Sequence, residues 1–271
     1  LTTGQIAGLT TAQIPGLTSS DIAVLRPSQL GSISSLQIGV LATSAVTGFT
    51  LPQMAALTTS QVNGFSSAQV AVLTTTQLSV LSSAQIAALT TTAVAGLTTN
   101  DLSTLKTSQI LGFTSAQVGA LTTLQLGALS SAQVGALTTS AITGLTTAEV
   151  AALATSQIAG LTSPQVGALT TLQIGAISSA QIAALTTLAQ AGLTTLDVAA
   201  LKTTQIAGLT ADQVGALSLP QLAALSSAQI GALTSAAVIG FTTSEIAALT
   251  TLQIAGLAST AIGALTAPQL S

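Results

Sequence analysis

The apolar positions of this chain recur on a fixed beat of eight. Leu121-Thr122-Thr123-Leu124-Gln125-Leu126-Gly127-Ala128 is one octad, and Leu-Ser-Ser-Ala-Gln-Val-Gly-Ala follows from Leu129. The register starts at Leu1 and never slips: 33 full octads and a seven-residue remnant, Leu265 to Ser271, account for all 271 residues. Position one is Leu except at Ile33, Ile177, Phe49, Phe65, Phe113 and Phe241, so every Phe sits at one structural place, a core place. Position six is Ile, Val or Leu except at Met54 and Gln190. Position two is Thr or Ser except at Arg26, Ala42, Lys106, Ala154, Lys202 and Ala258; position five is usually Gln; positions seven and eight are mostly Ala or Gly.

This pattern predicts one very short helix per octad. A hydroxyl at position two and Gln three residues later form a capping box, in which the hydroxyl accepts from the N–H at five and the Gln side chain accepts from the N–H at two. Leu at one and Ile at six then take the two places of a hydrophobic staple. Asp21, Asp101, Glu149, Asp197 and Glu245 replace Gln at position five, where an acid suits both the box and the positive helix start. Pro52, Pro164, Pro220 and Pro268 stand at position four and Pro27 at three, first-turn places where a missing N–H costs nothing. Pro15, at position seven, does not fit and marks a weak octad. A helix cannot run on through the next octad, because eight residues at about 100° each overshoot two turns by about 80° and smear the apolar stripe around the circumference. The expected element is a helix of about five or six residues, a bend and a restart, stable only through packing on neighbours. The small residues at seven and eight permit close backbone approach.

A β-solenoid is the alternative. Leu, Ile, Val and Thr favour strands and stacked Thr and Gln form good ladders. Strict alternation puts positions one and six on opposite faces, but a corner at position four rescues this reading, and both architectures stay open.

A longer rhythm overlies the octads. Ala replaces Gln at position five in Ala45, Ala93, Ala141, Ala189 and Ala237, each 48 residues apart, and Asp101, Glu149, Asp197 and Glu245 follow one octad later at the same spacing. Ser-Ser-Ala-Gln recurs at Ser82, Ser130, Ser178 and Ser226. Six octads are the duplicated unit, either through gene duplication alone or because 48 residues make a whole number of superhelical turns. The first four octads follow this phase less well, and Ala261 breaks it. The array reads as one continuous repeat region, 1–271, without a convincing cap, and as a segment of something longer.

Composition narrows the chemistry. Only nine side chains are charged and the net charge is -3, which gives no basic field for nucleic acid. No membrane span stands out, because every window of about 20 residues holds many polar groups. The chain has no Cys and no His, which removes disulfides, thiolate chemistry, most zinc sites and every His-based triad. An enzyme is therefore not expected, nor a cofactor or a metal.

The candidate sites are structural. Asp21 and Arg26, Asp101 and Lys106, and Asp197 and Lys202 share one offset, position five to position two of the next octad, and are expected as neutralising surface ion pairs. Such pairs are typically worth about 0–1 kcal/mol. Two carboxylates 48 residues apart could meet across a turn, but nothing near them suggests a cleft. The Thr and Ser rows are read as caps and solvated surface; a regular hydroxyl array could also order water or bind or carry glycans.

Leu161 to Val166, Leu-Thr-Ser-Pro-Gln-Val, resembles the start of a TAL-effector repeat, but the period differs and no base-reading residues are present. The Leu-Thr-Thr-x-Gln-Ile/Val octads resemble the octapeptide arrays of very large bacterial extracellular, adhesin-like repeat proteins. That resemblance implies a non-catalytic structural protein at the cell surface or outside the cell, self-associating as a filament, sheath or stalk. An adhesin-type or ice- or glycan-binding module using the Thr and Ser rows is the alternative.

Overall fold

The computed structural model describes residues 1–270, which form 32 α-helices of four to six residues and two 3-10 segments, Ile14–Gly16 and Ala267–Gln269. There is no strand among the described residues, so the helical reading holds and the β-coil is overturned. The deciding physics is local. Thr122 is extended, with φ -73° and ψ 158°; its Oγ1 accepts from the Gln125 N–H at 3.2 Å, and its own N–H donates to Gln125 Oε1 at 2.8 Å. A box that pairs two otherwise orphaned N–H groups favours a helix start at each octad. Proline follows the rule: Pro27, Pro52, Pro164 and Pro220 all lie at first-turn places. The octad carrying Pro15 forms a 3-10 turn instead of an α-helix.

The helices do not end in a left-handed cap. No residue, glycine included, has a positive φ among the described residues. The turn is made instead by position one, which swings into the extended region, as at Leu89 with φ -60° and ψ 136°. Glycine serves close approach. A methyl group at Gly112 would overlap the Ser83 carbonyl, and one at Gly208 would overlap that of Ser179. At these places positions eight and three of neighbouring coils pass backbone against backbone, as the small residues require.

The chain falls into two compact units, Leu1–Gly144 and Leu145–Ser271, and the same coil is built in each. In the first, helix Ser19–Ala23 packs on Thr43–Val46, and Thr59–Asn63 on Ser83–Ala88. In the second, Ser163–Ala168 packs on Thr187–Gln190, and Ser227–Gly231 on Thr251–Gly256. Each pair starts 24 residues apart, so one turn of the solenoid holds three octads. The 48-residue rhythm is therefore two whole turns, and octads with the same deviation stack in alternate coils.

Positions one and six fill the interior. Ile86, Leu102 and Ile110 are fully buried, and all four Phe are buried, with the Phe49 and Phe65 rings meeting edge to face at 6.1 Å. Burying such a side chain contributes about 1.5–3 kcal/mol relative to exposure. A four- to six-residue helix has no stability of its own, so this stacking holds the fold together.

Candidate functional site: the glutamine ladder and its interruptions

Three octads per turn sort the chain into three rows, told apart by position five. One row, in each unit, is all glutamine: Gln37, Gln61, Gln85, Gln109 and Gln133, then Gln181, Gln205, Gln229 and Gln253. A second alternates alanine with glutamine: Ala45, Gln69, Ala93, Gln117, Ala141, then Ala189, Gln213, Ala237. The third carries the later acids, Asp101 between Gln77 and Gln125, then Asp197 and Glu245 on either side of Gln221, whereas Asp21 stands one turn before Ala45 in the second row.

The buried glutamines have a second function that the capping box did not announce. While Oε1 accepts from its own position-two N–H, Nε2 donates to carbonyls one coil earlier. Gln109 Nε2 reaches Leu78 O at 2.7 Å and Leu81 O at 2.9 Å, 31 and 28 residues back. Gln85 reaches Met54 O and Leu57 O at 3.0 and 2.8 Å, and Gln229 reaches Val198 O and Leu201 O at 2.9 and 2.8 Å. These are carbonyls at the end of a helix and its following bend, groups that a helix leaves without internal partners. Each glutamine therefore starts its own helix and finishes one in the preceding coil. In a buried setting such satisfaction matters, because an orphaned polar group costs about 1–3 kcal/mol.

A sequence signal for this role exists. In four of the six octads whose position two has no hydroxyl, those of Arg26, Lys106, Ala154 and Lys202, Gln remains at position five; the other two, with Ala42 and Ala258, carry Ala45 and Ala261 there. In the four that keep Gln its Oε1 still accepts from the position-two N–H, at 2.8 Å from Arg26, 3.0 Å from Lys106 and 2.9 Å from Ala154 and Lys202.

The acids take a different place from the one expected. Asp101 and Asp197 are buried, not surface residues, because position five faces the preceding coil. Asp101 Oδ2 accepts from the Thr98 N–H and Oγ1 at 2.9 and 2.6 Å. Asp197 Oδ2 does the same with Thr194, at 3.0 and 2.6 Å, and its Oδ1 accepts from Thr171 Oγ1 of the coil before at 2.9 Å. Lys106 and Lys202 are exposed and send Nζ to the Ser79 and Gly175 carbonyls at 3.1 and 2.8 Å. Arg26 is exposed. Asp21 is exposed as well, and the Thr18 hydroxyl, followed by the Thr18 N–H, holds its carboxyl below the usual aspartate range.

One interior residue breaks the pattern. Gln190 occupies position six, where all but one other octad has Ile, Val or Leu. Its Nε2 donates to Gln213 O at 2.8 Å, but its buried Oε1 is without a hydrogen-bond partner.

Among the described residues no three His, Cys, Asp or Glu side chains gather as a metal set would, and no helix is long and apolar enough to cross a membrane. The recess beside Lys202, about 430 Å³, is otherwise lined by Thr171, Leu172, Gly175, Ala176 and Ala200. Outward, position four carries leucines that are about three-quarters exposed, with Leu172 and Leu196 one coil apart in the acidic row at 79% and 75%.

A family model described as the ALTTAQ repeat matches seven times, at residues 52–83, 94–131, 118–147, 126–163, 134–171, 150–187 and 190–227, together more than half of the chain. In structure the chain is similar to the leucine-rich repeat-containing protein LegL7 from Legionella pneumophila, with 10% identity, 80% of this chain and 79% of that one covered, and a TM-score of 0.25. No curated protein matches.

Proposed function

Because the chain belongs to the ALTTAQ repeat family, we propose that it is a structural, non-catalytic array that self-associates outside the cell or at a bacterial surface, as part of a filament, sheath or stalk. The observation that carries this reading is where the polar chemistry goes. Position-five amides and position-two hydroxyls, the most regular polar groups of the repeat, are used in capping and in joining coils. What the repeat offers outward is hydroxyls, small residues and unpaired leucines such as Leu172 and Leu196. Nine charges on 271 residues give little repulsion against association.

Sedimentation velocity over a wide concentration range tests the assembly. Concentration-dependent oligomers that weaken in a Leu172→Ser, Leu196→Ser double variant are expected; a compact monomer at every concentration would overturn the proposal. Protease accessibility on intact producing cells tests the location: digestion without lysis is expected, and protection until lysis would place the protein elsewhere.

A further inference from the structure

The joints between coils are not equal. Any cut through the solenoid must separate three consecutive octads from the coil before them. In residues 89–112 of the first unit the three position-five side chains are Ala93, Asp101 and Gln109. Only Gln109 can donate an amide to the preceding coil, and it does so twice. In residues 113–136 the three are Gln117, Gln125 and Gln133, and all donate backward: to Ile86 and Leu89, to Val94 and Leu97, and to Leu102 and Leu105. The second unit repeats this. Ala189, Asp197 and Gln205 hold residues 185–208, with Gln205 donating to Ile174 and Ile177. Gln213, Gln221 and Gln229 hold residues 209–232, and all three donate backward.

At the sparse joints other polar links stand in. Lys106 donates to Ser79 O, Lys202 donates to Gly175 O, and Thr171 donates to Asp197. The two lysines are solvent-exposed, and a hydrogen bond open to water exchanges readily for one to solvent. The buried Gln bonds have no such exchange partner.

We infer that within each unit the array is a series of 48-residue, two-coil blocks separated by weak joints, and that under tension it releases chain one block at a time. In a solenoid, stability is the sum of each repeat's own contribution and its nearest-neighbour joints, so opening falls where the joint is poorest and stops where it is richest. The 48-residue rhythm then has a mechanical meaning: from Ala93 onward, spacing two Gln-free octads per six sets where the protein gives way, whereas the joint after Ala45 keeps the amides of Gln53 and Gln61. This conclusion concerns the fold and stands apart from the assembly proposed above.

The test is single-molecule stretching of the whole chain held by its two ends. Extension steps that free 48 residues, about 160 Å of extended chain before the folded rise is subtracted, are expected. Steps of 24 residues, about 80 Å by the same measure, or one all-or-none release, would overturn the inference. A Gln117→Ala, Gln125→Ala double variant places a new poor joint inside a rich one, using a residue that six octads already accommodate. Its block should split into two shorter steps; an unchanged step pattern would overturn the inference even if the parent pattern fits.

Discussion

The all-glutamine row and the alanine-alternating row occupy equivalent sides of the same coil and differ at one side chain. In the first, every coil is joined to its predecessor by a buried amide, as at Gln85, Gln109 and Gln133. In the second, Ala93 and Ala141 are fully buried at the same place, and the helix start keeps only half of its box: Thr90 Oγ1 accepts from the Ala93 N–H at 3.0 Å, with no side-chain oxygen returning the bond. Both rows keep Leu, Ile or Phe at position one and, apart from Gln190, an apolar residue at six. The comparison separates two roles. Apolar stacking builds the coil in every row, while glutamine decides how firmly one coil is held to the next.

Four measurements bear on that separation. Close backbone approach should matter equally in both rows. Gly96→Ala in the alanine row and Gly112→Ala in the glutamine row each push a methyl into a carbonyl of the coil before. Each should lower chemical-denaturation stability by about 3 kcal/mol, the upper range of overpacking costs; a large loss in one row alone would show that the rows differ in more than position five. Next, Gln109→Ala should cost about 1–3 kcal/mol, since it strands the Leu78 and Leu81 carbonyls, even though alanine is native at this position one row away. An effect near zero would mean that the ladder does not hold the coils.

Gln190 sharpens the comparison from the interior. Gln190→Val removes a buried oxygen that has no partner and restores the apolar pattern of position six. Stability should rise by about 1 kcal/mol, the lost bond to Gln213 offsetting part of the gain; thermal or denaturant unfolding reads the sign. The smallest effect lies outside all buried rows, at Asp21. Its folded-state pKa is lowered, so its contribution to stability is present above the unfolded aspartate value, about 3.9, and is lost as pH falls through the lower folded one. Acid titration of Asp21→Asn beside the parent should show a slightly shallower decline in that window, and identical curves would contradict it.

Much of the fold was legible from the octad. The hydroxyl at two, Gln at five and the apolar pair at one and six encode a helix start through interactions spanning three to five residues. The proline placements and the failed octad at Pro15 follow from the same local rules. What the octad does not contain is the number of octads per turn, because that emerges from packing between residues 24 apart. Without it, the octad does not locate the partners of Gln109 Nε2 and places Asp101 on the surface, whereas position five points into the preceding coil and Asp101 is buried. The retention of Gln beside Ala154 and Lys106, where no hydroxyl completes the box, was the available hint of a second duty.

The most direct test is the exchange of the glutamine side-chain amide protons with solvent, followed by NMR. Gln85, Gln109 and Gln133 should exchange slowly, as donors buried between coils, while the exposed Gln5 and Gln13 exchange at the rate of a free amide. Uniformly fast exchange at all five would contradict the ladder.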